Sequence, residues 1–109
     1  MPDDISMIPR KMTATRIANR LSFAADQLAG ARDPAAFLDA MASQRRLWRH
    51  MQRASALMGY KIPDRVMDFS FEIATRRDGG WNDHEVEALI SIERTVSQEL
   101  ARATRLPAE

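Results

Sequence analysis

An all-α fold, a compact bundle of four helices, is what this sequence predicts, and three observations lead there. Apolar residues recur at three- and four-residue spacings along most of the chain, and glycine or proline interrupts them near Gly30, Gly59 to Pro63 and Gly79-Gly80. No second convincing strand accompanies the single stretch of alternating residues. Length agrees: 109 residues accommodate one small core, not the two of a multidomain enzyme. The expected organisation is a flexible leader over 1–10, one helical domain over 11–104 and a flexible tail over 105–109.

The first helix is expected from Met12 to about Leu28, because Ile17, Leu21, Ala24 and Leu28 fall on one face and Gly30 gives a low-strain stop. Asp33 and Pro34 then form an N-cap and a first helical residue: the carboxylate accepts an unpaired amide, and proline has no N–H to lose. In the long second helix, Phe37, Met41, Trp48, Met51 and Met58 keep one side apolar, widened by Leu38, Leu47, Ala54 and Leu57. Arg45, Arg46, Arg49 and Arg53 form its basic flank.

Gly59, Tyr60 and Pro63 break that helix. Over 64–77 two patterns compete. Met67, Phe69, Phe71 and Ile73 alternate with polar residues as in a strand, whereas a helix gathers Val66, Phe69 and Ile73 beside Met67, Phe71 and Ala74. Helix is preferred, since a local strand would lack a ladder partner. Arg77-Asp78-Gly79-Gly80 reads as a turn. In the last helix Asn82 caps the start and Glu85 holds the capping-box position, with Val86, Leu89, Ile90, Val96 and Leu100 continuing the stripe. Glu93 borders that stripe and is expected at its edge or paired with a basic group, because an unpaired buried carboxylate is costly.

Chemistry is sparse. With no cysteine there is no disulfide, thiolate nucleophile or cysteine-ligated metal, which fits a cytoplasmic location. No catalytic or cofactor-binding residues are assigned: the serines lack an identifiable base and oxyanion donors, so no enzyme is expected. His84 lies among Asp83, Glu85 and Glu87, but adjacent helical residues point in different directions, so no metal site is assigned. No apolar run suggests a membrane span or secretory signal.

Formal charge is only +1, which argues against direct nucleic-acid binding, yet residues 1–61 carry +5 and residues 62–109 carry −4. That split suits a protein partner or antiparallel packing of the chain's own halves. The candidate partner surface is Arg45, Arg46, Arg49 and Arg53, with Leu47, Trp48 and Met51 behind it as core. Trp81 either closes the core over its loop or anchors a partner, and closure is preferred. Met7, Met12, Met41, Met51, Met58 and Met67 make adaptable apolar surfaces, with core packing the default; exposure of Phe37, Met41, Leu57, Met58, Met67 or Phe71 would favour a groove for an amphipathic partner helix.

Three segments also carry a resemblance. Gln44-Arg45-Arg46-Leu47-Trp48 is similar to the asparagine-arginine-arginine-leucine-tryptophan segment of the FlaF family of flagellar biosynthesis regulators, departing only at Gln44. Ile62-Pro63-Asp64 resembles the leucine-proline start of a later block, and residues 89–96 resemble its leucine-isoleucine, isoleucine, asparagine-arginine-threonine and isoleucine pattern. There Glu93 stands for asparagine, and Glu99 for the glycine before Leu100. The resemblance spans about 36–100 and implies a core motif of Leu47, Trp48, Met51, Pro63, Leu89, Ile90, Ile92 and Val96. It also implies a regulator of flagellin production or secretion, with unassembled flagellin and a companion flagellin translation regulator as partners. The alternative is a general helical adaptor or self-associating scaffold outside flagellar assembly.

Overall fold

Four amphipathic segments become four α-helices in the computed structural model: α1 Pro2–Ala29, α2 Pro34–Ala54, α3 Asp64–Thr75 and α4 Asp83–Arg105. The structure describes residues 2–54, 61–76 and 80–105, with side chains over 14–54, 61–76 and 80–103. Leu57, Met58, Gly59, Tyr60, the Arg77-Asp78-Gly79 part of the expected turn and the side chains of Met7 and Met12 lie outside these limits. The first helix starts earlier than its expected Met12 boundary: α1 includes the backbone of residues 2–10, read from sequence as a leader.

Local chemistry sets the boundaries. The α1 helix ends where the Gly30 amide makes its last bond to the Asp26 carbonyl at 2.9 Å and Ala31 shortens the step to Leu28. Asp33 caps α2 as its sequence predicts, its Oδ1 accepting the Ala36 amide at 2.8 Å while its carbonyl accepts Phe37 N–H at 3.0 Å. The α3 helix begins with the Met67 amide on the Pro63 carbonyl, so the helical reading of 64–77 holds over Asp64–Thr75. Burial explains why its alternation misleads: Ser70, Ile73 and Ala74 turn inward together, a helical spacing that no strand face can gather. At α4, Asn82 and Glu85 form a reciprocal capping box, with the Glu85 amide donating to Asn82 Oδ1 at 2.9 Å and the Asn82 amide to Glu85 Oε1 at 3.1 Å.

Around the bundle each helix packs on the next, and α1 also closes the ring against α4 in the most extensive interface. Small and large residues alternate along the inner face of α1 (Ala14, Ile17, Ala18, Leu21, Ala25, Leu28), which lets the two backbones approach. They run antiparallel: Ser97 Oγ donates to the Ala18 carbonyl at 2.7 Å, and Arg94 meets Asp26 at 3.3 Å nearer the end of α1. Helices α2 and α4 stand across the centre from each other, without a direct backbone approach. Trp48, Met51, Leu89 and Leu100 are fully enclosed there.

Two residues placed on inward faces from sequence turn out instead. Leu38 is 58% exposed and Phe69 is 37% exposed. Each sits at the border of its helix's apolar stripe, where the neighbouring helix, and not the spacing, decides what is covered. Half-buried Ile90 and Ile92 flank the fully enclosed Leu89, so the expected core motif of α4 divides between centre and margin.

Candidate functional site

The otherwise apolar centre of the bundle holds a small polar cluster. Glu93, expected at the edge of α4 or beside a basic group, is wholly buried instead, and its partners are neutral donors. Trp48 Nε1 donates to its Oε2 at 2.9 Å, and Gln44 Nε2 donates to its Oε1 at 3.0 Å. The same Gln44 nitrogen lies 3.4 Å from the Ala24 carbonyl, so the network ties α1, α2 and α4 at one level. A carbonyl only accepts, so that contact fixes which end of the Gln44 amide faces Glu93. Gln44 Oε1 is left without a partner among the described residues, as is Ser70 Oγ on α3.

Two effects oppose each other on this carboxyl. Burial disfavours the charged form, while the Trp48 and Gln44 hydrogen bonds favour it. Burial prevails, and the Glu93 pKa rises to about 7. The Glu93 carboxyl is enclosed together with Trp48 and Gln44, which are themselves fully buried.

A second constellation fastens the α3–α4 connection. The Arg76 guanidinium bridges two carboxylates bidentately, reaching Glu72 at 2.9 and 3.1 Å and Glu85 at 2.9 and 3.1 Å, and donates to the Gly80 carbonyl. Hydrogen bonding to Glu72 first, then Glu85, holds Arg76 well above the usual guanidinium range, and Arg76 together with the Asn82 amide holds Glu85 below the usual carboxylate range. Trp81 closes the core over the loop, donating to the Ile73 carbonyl at 2.8 Å and meeting Phe37 edge-on with centroids 5.7 Å apart.

On the outside, α1 and α2 enclose a groove of about 370 Å3. Ala24 and Leu47 form its floor, Phe23 stands along it 69% exposed, and Arg16, Arg20 and Arg46 provide its charge. Among the described residues no carboxylate lines it. Of the four arginines read from sequence as a partner surface, Arg46 reaches this groove and bonds Ser43 Oγ at 3.3 Å. Arg49 and Arg53 are exposed away from it, and Arg45 is half-buried with its Nε unpartnered.

Sequence reasoning missed Gln44, Phe23, Arg16 and Arg20. Gln44 had a readable signal: it lies three residues after Met41 and four before Trp48, in the middle of the stripe. Among the described residues no group of three or more metal-ligating side chains occurs, and no helix is long and apolar enough to cross a membrane. Comparison with family models, curated proteins and solved structures finds nothing that matches this chain.

Proposed function

We propose that this chain is a cytoplasmic flagellar biosynthesis regulator that promotes flagellin production or secretion by binding unassembled flagellin as an export chaperone. The observation that carries the reading is a contact between two of the segments that resemble the FlaF pattern. Gln44 and Glu93, the positions where this chain departs from the pattern's two asparagines, are hydrogen-bonded to each other at 3.0 Å. A donor and an acceptor meet where the pattern has two asparagines, so the replacements keep a hydrogen bond between the two segments.

In this reading the motif residues Leu47, Trp48 and Met51 maintain the bundle, and the arginine-bearing α1–α2 surface meets the partner. Covering an amphipathic terminal segment of flagellin would delay its polymerisation before export. Titrating the purified full chain with unassembled flagellin, and in parallel with an unrelated helical protein, tests it. A selective complex at micromolar concentration is expected; equal or absent binding to both would remove the proposal. Flagellin messenger, added separately, is expected not to bind, and a selective complex with it would move the regulation to RNA.

A further inference from the structure

Four grooves on the described surface carry apolar residues, and their charges differ; one along α4 holds Ile90 with Glu87 and Arg94. The one between α3 and α4 holds Val66, Ile92 and Val96 with Glu99. The one beside Trp81 and Phe37 holds Asp83 and Glu87. The α1–α2 groove alone among them joins an apolar floor to guanidinium groups and no carboxylate. Among the described residues neither Arg16 nor Arg20 has an ion-pair partner, and 69% of the Phe23 surface faces water.

From this we infer that the α1–α2 groove is a docking site for one amphipathic helix of another protein, bearing acidic residues on both flanks of its apolar stripe. The inference rests on the reading that the chain acts by binding a protein, and it adds the surface and the chemistry of the bound segment. Lining residues on α1 run from Arg16 to Gln27, a rise of roughly 16 Å, or three helical turns. Arg16 and Arg20 stand one turn apart on the α1 bank, and Arg46 stands on the α2 bank, so a helix lying between them meets cations on both sides. Its apolar residues would pack along Phe23 and over Leu47. A second copy of this chain fits less well, because a two-fold contact through the same groove sets arginine against arginine.

The probe is a blocked peptide of about 16 residues, with leucines at three- and four-residue spacing and glutamates on both flanks, titrated by fluorescence anisotropy against the full chain. Micromolar binding is expected, with no binding of the same peptide carrying lysines for glutamates. The double variant Arg20→Glu, Arg46→Glu should weaken the acidic peptide by about tenfold or more and acquire affinity for the lysine peptide. Phe23→Ser should also weaken it; as an exposed residue it leaves the thermal unfolding curve in place, which separates lost docking from lost folding. Equal binding of both peptides, or an unchanged affinity in the double variant, overturns the inference. So does a dimer seen by sedimentation that Phe23→Ser dissolves, which assigns the groove to a second copy. Flagellin bound equally by wild type and double variant would remove this groove and leave the flagellin reading intact; peptide binding without flagellin binding would do the reverse.

Discussion

Between pH 4.5 and about 7 the folded protein holds a proton on Glu93 that the unfolded chain releases, because burial raises this carboxyl and unfolding returns it to water. Folding takes up a proton in that window, so this group's contribution to stability is greatest below 4.5 and declines as pH rises through about 7. The full difference is about 3 kcal/mol, at roughly 1.4 kcal/mol per pH unit. Urea unfolding of Glu93→Gln across the same range should lack that decline, since the amide does not titrate; parallel curves for wild type and variant would refute the assignment. Trp48→Phe removes a donor that favours the carboxylate, so it should shift the Glu93 titration further upward and cost about 1 to 2 kcal/mol. Carbon-13 detection of the carboxyl resonance reads the first effect, and urea midpoints the second. Sequence alone gives little access to this centre. Glu93 lies four residues after Leu89 and three before Val96, and Gln44 three after Met41 and four before Trp48, but spacing records only which face a residue occupies. It carries no information about whether a neutral donor awaits on another helix.

The starts of α2 and α4 were more legible than helix faces. Asp33 before Pro34, and Asn82 three residues before Glu85, specify caps through bonds made within a few residues, so no distant partner is needed to predict them. Asp33→Ala is expected to destabilise the protein by about 1 kcal/mol through the lost α2 cap, measured as a lower urea midpoint with unchanged slope. The faces of Leu38 and Phe69 depend on coverage by neighbouring helices, which lies outside a local pattern. At the α3–α4 connection, Arg76 lowers the Glu85 pKa, so this pair contributes stability above the ordinary carboxylate value of 4.5. That contribution disappears as pH falls through the lower folded value, opposite in sign to Glu93. Arg76→Met should therefore flatten the acid-side loss, read from unfolding midpoints below pH 4.5, and leave the Glu93-dependent window unchanged.

Across the whole molecule, the enclosed core and the proposed docking groove rest largely on different residues, Leu47 being shared. Met51 is fully enclosed, so Met51→Ala should cost about 2 to 5 kcal/mol. Phe23→Ser should alter stability by less than about 0.5 kcal/mol, because its ring is mostly in water. Chemical denaturation of the two variants side by side tests that division. The class of fold was readable because short connections and amphipathic periods leave few ways to arrange four helices. Their alignment was not readable, and the polar centre bears on it. Leucine-like seams tolerate a slip of one helical turn, since one methyl group replaces another at little cost. Sliding α4 by one turn here would carry Glu93 away from both Trp48 and Gln44, stranding the Trp48 N–H among hydrocarbon and leaving Gln44 only its longer contact to the Ala24 carbonyl. The network thus acts as an alignment key: it penalises the misregistered bundles more than it favours the correct one.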